Sequence, residues 1–413
     1  MKNIILSLAV LLACAGCAVN HAAQPEPAPA STTTPVAAEP PTPPVDTVQV
    51  VIGHVAPLTG SIWNLGQDNE LGARLAIEEL NARGVMIGER RAKFVLVSRD
   101  DAGDPRRAVT VAQELVDLHV NGVIGHLNSG TSIPASAIYQ QAGIPQISPS
   151  ATNPAYTLRG YRTSFRLIAD DRQLGHTMGR YSVEQLKAQR FAVVDDRTAY
   201  GEGLADEFAD GVKAAGGRVV IRVPTHNRET DFGLIVARLK QHRPDIVFYG
   251  GMDFQAGLLL REMASAGMQA RLLGGDGICT LDLLKIAGPS VPQNAIVCGE
   301  AGMLPGRTPR SQAFKTKYRM RFGQDVLVYA PFVYDAVMVM AEAMAKAGSA
   351  DPKHYLPVLA ATRDYNGVTD SISFAPDGNL ESGWVMLYTY RDGRREVLDM
   401  IRASAPWGQR SPG

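Results

Sequence analysis

From residue 48 onward, short apolar runs bounded by glycine or polar residues alternate with stretches of helical length, and the pattern is repeated. Strands are expected at 48–53, 94–98, 122–125 and 145–148. Helices are expected at 68–83, 105–118 and 134–141. The first helix carries Leu71, Leu75, Ala76 and Leu80 on one face and stops at Gly84, while the second opens on Pro105. A second cycle has helices at 173–186, 202–215, 232–241 and 254–267, with strands at 191–195, 218–223, 245–249 and 272–274. Such alternation demands parallel sheets covered by helices on both faces, and two cycles of similar size imply two α/β lobes. A late helix at 331–347 and a late strand at 384–390 can rejoin either lobe, so neither lobe need be continuous.

Composition narrows the partners. A chain of 413 residues exceeds one compact core. Its 41 basic and 41 acidic side chains balance, which argues against a nucleic-acid surface. Four cysteines are too few for a disulfide scaffold, and no interior run approaches the ~20 apolar residues that span a bilayer. The N-terminus differs from the rest. Lys2 precedes an uncharged apolar run, 4–16, with the form of an export signal. It ends in small residues before Cys14 and again before Cys17, and both sites resemble the bacterial lipobox; Cys17, or alternatively Cys14, is the expected lipidation site. Residues 18–47 are rich in Pro, Ala and Thr and cannot bury a core, so a signal at 1–17 is followed by an extended spacer. The expectation is a periplasmic protein tethered to a membrane by lipid.

Enzymatic signatures are missing from the sequence. There is no Walker A loop, no Gly-x-Gly-x-x-Gly fingerprint and no Gly-x-Ser-x-Gly elbow, and the histidines form no metal-ligand pair. No cofactor, metal site or catalytic residue is expected. His126 reads as a core or loop histidine, and Asp100-Asp101 as turn and helix-cap chemistry before Pro105. Polar chemistry instead collects where strands end, the place where open α/β sheets bind ligands. Residues 125–130 and 147–154 supply hydroxyls and backbone N–H groups suited to a carboxylate, and 274–277 supplies Asp276, suited to an ammonium. The three segments complement a zwitterion, although serines and threonines at such places also serve as helix caps.

Long ordered stretches then carry a resemblance: "GARLAIEELNARG", "DDAGDPRRAVTVAQELV", "VIGHLNSGTSIPASAIYQQAGIPQISPSATNPAYTLRGY", "YGEGLADEFADGVKAAGG", "DFGLIVARLKQHRPDIVFYGG" and "LLGGDGICTLDLLKIAG". From residue 48 to about 393 the chain resembles the periplasmic leucine/isoleucine/valine-binding proteins of ABC transporters. These are type I periplasmic binding proteins, whose two lobes close like a flytrap across a three-crossing hinge. The resemblance implies that Ser129 and Thr152 hold the ligand's α-carboxylate. It implies that the Ser150 carbonyl, the Thr152 hydroxyl and Asp276 hold its ammonium, that Tyr200 covers it from the second lobe, and that Tyr329 lies near the side-chain pocket.

Departures from the family pattern fall mainly around the ligand side chain. Asp276 stands where relatives usually carry Glu. Leu65, with Trp63 two residues earlier, replaces a walling aromatic residue, and Met252 replaces a tyrosine. Asn128 replaces a cysteine whose usual disulfide partner is Gly103 here, so Asn128 either packs in its place or reads a polar ligand group. The set supports an α-amino acid, branched-chain or small aliphatic. Cys279 and Cys298, 19 residues apart, form either a second-lobe disulfide or two free thiols.

The resemblance further implies a first lobe of 48–170 plus 300–382 and a second of 171–299 plus 383–405. It implies a monomer that closes on its ligand and delivers it to a membrane permease and its ATPase. The alternative is a ligand-sensing or cell-envelope lipoprotein of the same fold without a transport role.

Overall fold

The computed structural model describes residues 46–292, 294–302, 308–381 and 383–403. The signal segment, Cys14, Cys17 and all of the spacer before residue 46 lie outside them. Strands β1 (Thr47–Ala56), β2 (Met86–Ile87), β3 (Arg90–Asp100), β4 (Gly122–Gly125), β5 (Gln146–Ser148) and β6 (Ser164–Arg166) form one sheet in the order β2-β3-β1-β4-β5-β6. All its pairings are parallel except that of β2 with β3. Helices α1 (Trp63–Arg83), α2 (Pro105–Asp117) and α3 (Ser129–Ala142) connect successive strands.

After β6 the chain enters α4 (Asp171–Glu184) and builds a second sheet. Its strands β7 (Arg190–Asp195), β8 (Arg218–Pro224), β9 (Ile246–Gly250), β10 (Arg271–Gly274) and β11 (Ile296–Ala301) alternate with α5 (Ala199–Ala214), α6 (Gly233–Gln241), α7 (Asp253–Ser265) and α8 (Asp282–Ala287). The chain then returns to the first sheet as α9 (Pro309–Phe322), α10 (Ala330–Ala347) and α11 (Pro352–Ala360), with a small ribbon of β12 (Tyr365–Asn366) and β13 (Ser371–Ile372). It finishes as a hairpin of β14 (Gly383–Arg391) and β15 (Arg394–Ala403), which gives a second sheet ordered β15-β14-β11-β10-β9-β7-β8.

Both sheets are therefore parallel and doubly wound, with antiparallel strands added only at edges. The order reverses between β1 and β4 in one sheet and between β7 and β9 in the other. A crevice opens at such a switch point because the flanking connections leave in opposite directions.

Several boundaries differ from the sequence expectation for identifiable reasons. Helix α3 begins at Ser129 rather than 134. The Asn128 carbonyl accepts the Thr131 and Ser132 N–H groups, so a turn forms ahead of Pro134, which forfeits only one bond inside the helix. Helix α1 starts at Trp63, five residues before the expected 68. Strand β11 was not among the expected elements. The charged segment after residue 390 is not only a turn: Asp392 and Gly393, both at positive φ, reverse the chain into β15.

Two cores hold the lobes. Helix α10 is buried along nearly its whole length against α1 and the first sheet, with Val333, Val337, Met340 and Met344 inaccessible. It can approach because Gly72 of α1 faces it: a Cβ there would lie 2.4 Å from the Ala330 carbonyl oxygen. In the second lobe Phe208 stacks on Phe248 with centroids 4.0 Å apart, clamping α5 onto β9. Cys279 and Cys298 are bonded, tying the turn after β10 to β11.

Candidate functional site

The carboxyl ends of β4 and β5 are built as one rigid corner. His126, fully buried, hydrogen-bonds through Nδ1 to Asp101 at 2.7 Å and through Nε2 to the Tyr139 hydroxyl at 3.1 Å. Its carbonyl accepts the hydroxyls of Ser132 and Ser148, both at 2.9 Å. Asp101 also accepts the Gly103 N–H, while Asp100 accepts Leu58 and Ala102 N–H groups and the Thr59 hydroxyl. Asp100-Asp101 is thus turn chemistry, but the cap of α2 is Asp104.

Onto this corner the chain places Ser129, Ser150 and Thr152, all buried. Ser129 is the first residue of α3, whose opening N–H groups have no intrahelical acceptor. Its hydroxyl oxygen accepts the Asn153 N–H at 3.1 Å, which leaves the hydroxyl hydrogen free to donate. The Ser150 hydroxyl donates to the Leu127 carbonyl at 2.9 Å. Behind the loop, the buried Arg166 guanidinium donates to the Ala151 and Asn153 carbonyls and the Thr157 hydroxyl. That fork holds the backbone around Thr152 in one shape.

The second lobe supplies the opposite charge. Asp276 follows β10 in a glycine run, and the run has a packing reason. A Cβ on Gly275 would lie 2.8 Å from the Tyr200 hydroxyl, and one on Gly277 2.6 Å from the Gly251 carbonyl oxygen. Tyr200, in the first turn of α5, donates to Asp276 Oδ1 at 2.9 Å and accepts the Gly277 N–H at 3.0 Å. Tyr329, just before α10, donates to Asp276 Oδ2 at 2.7 Å. Burial pushes the Asp276 carboxyl up to about 6, against the pull of the two phenols.

A second carboxylate was not among the expected residues. Asp171 opens α4 and is fully buried beside the buried Thr152 hydroxyl, with no other side-chain partner among the described residues. Burial pushes the Asp171 carboxyl well above the usual range, and the Asp276 charge pushes the same way. In the sequence Asp170-Asp171 merely precedes the helix expected from 173. Asp170 does fill that role, in a capping box with Gln173, and so obscures its neighbour.

Around these polar groups lies an apolar wall. Leu65 and Tyr329 belong to one buried cluster with Ala56, Ile62 and Leu127, and Met252 packs against it from the other lobe. Asn128 is partly buried with Oδ1 unpartnered, and it faces Gly103, whose Cβ would lie 3.8 Å from that oxygen. Trp63 is the exception among the expected residues. At the start of α1 it is 50% exposed, because the early start of that helix turns Leu65 inward and leaves Trp63 at the rim.

Two further bonds cross the lobes: Asn64 Nδ2 donates to Asp282 Oδ2 at 3.1 Å, and Asn153 Nδ2 to the Ala199 carbonyl at 2.6 Å. The arrangement is that of two lobes shut on a shared interior. Among the described residues no His/Cys/Asp/Glu group fit to hold a metal ion occurs.

Fold and site together define a two-lobed solute-binding protein, and residues 49–394 match the family model described as periplasmic binding protein. The chain belongs to that family. It is 34% identical to a Leu/Ile/Val-binding protein homolog from Brucella melitensis over 344 residues, 83% of this chain and 91% of the relative. It is 32% identical to a leucine-, isoleucine-, valine-, threonine- and alanine-binding protein from Pseudomonas aeruginosa, over 82% of this chain and 88% of that one. A solved branched-chain amino acid transporter substrate-binding protein from Streptococcus pneumoniae, in complex with isoleucine, superposes with a TM-score of 0.78 at 26% identity. The match covers 86% of this chain and all of that one.

Proposed function

We propose that the protein is the extracytoplasmic solute-binding component of an ABC importer, and that it captures an α-amino acid between its lobes. The observation that carries this reading is the pairing of opposite chemistries at one buried place. Ser129, Thr152 and the N-terminus of α3 present donors, while Asp171 and Asp276 present carboxylates. A zwitterion satisfies both, and charge-assisted bonds in a site shut from water make each of them strong. The Ser150 carbonyl and Thr152 hydroxyl would share the ammonium with Asp171, and Tyr200 would cover it. Leu65, Met252 and Tyr329 form an apolar surround, which favours a branched-chain or small aliphatic side chain, as do the relatives' names. Asn128 borders that surround and is the residue able to admit a hydroxyl.

The lobes would be 48–170 plus 300–382 and 171–299 plus 383–405, moving about three crossings. A ligand touching both lobes binds the closed state better and shifts the population toward it. The closed monomer would dock on a permease driven by an ATPase, in the periplasm, with Cys17 or Cys14 carrying a lipid anchor. Titration of leucine into the protein and two variants tests the site. Thr152→Val, which keeps shape and removes the hydroxyl, should weaken binding at least tenfold. Asp171→Asn should cost ~2–4 kcal/mol of affinity by leaving a buried ammonium without its counter-ion. Unchanged affinity in both would refute the assignment.

A further inference from the structure

We infer that Tyr329 is a positioning residue that makes Asp276 a latch between the lobes, holding them shut through a bond no ligand atom takes part in. The inference rests on reading the interlobe interior as the ligand site. Its basis is an unbroken chain of contacts from one lobe to the other. Asp68, buried in α1, accepts the N–H groups of Leu327, Val328, Tyr329 and Ala330 at 2.7–3.1 Å, and the Tyr318 hydroxyl at 3.1 Å. Four consecutive backbone donors on one carboxylate fix the loop that presents Tyr329. The phenol then reaches Asp276 Oδ2, while Oδ1 is held by Tyr200, itself bonded to the Gly277 N–H.

Every link except the partly buried Leu327 is buried, and both Asp276 oxygens are engaged by protein hydroxyls. The side chain one CH₂ shorter than glutamate is thereby met by a phenol from the opposite lobe. Asp171, by contrast, meets only the Thr152 hydroxyl among the described side chains. Asp276 thus joins the lobes and keeps lone pairs that can face the ligand's cation together with Asp171. The Tyr329–Asp276 bond is available to the closed state whether or not an amino acid is present. It therefore raises the closed fraction of the free protein and slows release of what has been captured.

The test compares the full chain with Tyr329→Phe, which keeps the ring and removes one hydroxyl. The protein is first unfolded and refolded to strip carried-over ligand. Small-angle scattering without amino acid should show a larger radius of gyration in Tyr329→Phe. Stopped-flow displacement of leucine should show release accelerated about tenfold, the size expected of one charge-assisted hydrogen bond, with little change in the association rate. Asn64→Ala, which removes a less buried bond across the lobes, should move both readouts much less. Identical scattering in the wild type and Tyr329→Phe overturns the latch, as does equal release where leucine binds. The scattering arm needs no ligand, so an opened Tyr329→Phe in a protein that binds no amino acid would leave the latch standing and remove the proposed function instead.

Discussion

Asp171 and Asp276 sit in one low-dielectric interior, and burial disfavours the charge on each. In the free protein a raised carboxyl contributes stability that is fully present below its unfolded value, near 4. That contribution is lost as pH rises through the folded value, about 6 for Asp276. A bound ammonium acts in the opposite direction, because it favours the ionised carboxylates and drives protons off. Leucine, zwitterionic throughout, should therefore bind more tightly at pH 7.5 than at pH 5, and binding near pH 6 should release protons. The groups acting on Asp276 are Tyr200, Tyr329, Asp171 and Glu300, and the phenols do not titrate in this window. Calorimetry in buffers of different ionisation enthalpy measures the release; equal affinity and no proton release across this range would contradict the account. At this scale the sequence pointed to Ser129, Thr152 and Asp276 by their polar chemistry at strand ends, and all three are buried. Asp171 escaped because it lies just ahead of the expected helix, and only its full burial beside Thr152 and Asp276 distinguishes it.

Among the elements, two first-lobe loops owe their shape to buried charged residues behind them. Arg166 fixes the loop after β5, and Asp68 fixes the loop before α10. Neither was legible in the sequence, since an arginine ending a strand and an aspartate early in a helix look like solvated surface. What buries Asp68 is the return of 309–360 to the first lobe, a tertiary event no local pattern announces, whereas Arg166 is enclosed by the 151–157 loop. Periodicity did reveal most of the alternating strands and helices, while β11 and helices α8, α9 and α11 were missed, α8 because it is short and α9 and α11 because few of their residues are buried. The Asp68→Asn variant keeps size but loses one acceptor oxygen and the charge, stranding some of five donors. It should destabilise the fold by ~2–4 kcal/mol in denaturant unfolding, and it should weaken leucine binding through misplacement of Tyr329. Wild-type stability would show that the loop is held by other means.

For the molecule as a whole, on the proposed reading, closure unites two half-sites that are individually inadequate. The first lobe offers donors without a counter-charge for an ammonium, and the second offers carboxylates that burial disfavours. A zwitterion resolves both, whereas an anion or a cation would leave one half unsatisfied. The two-lobe plan could be read from the doubled strand–helix cycle. That the last strands belong to the second sheet could not, since an edge strand carries no label of its sheet. The most direct test of the central claim is calorimetric titration of the refolded, ligand-stripped chain with each of the twenty amino acids. The account predicts tight one-to-one binding of one or a few aliphatic members, leucine, isoleucine or valine among them. The absence of binding across the panel, or binding only of compounds lacking an α-ammonium or an α-carboxylate, would contradict it.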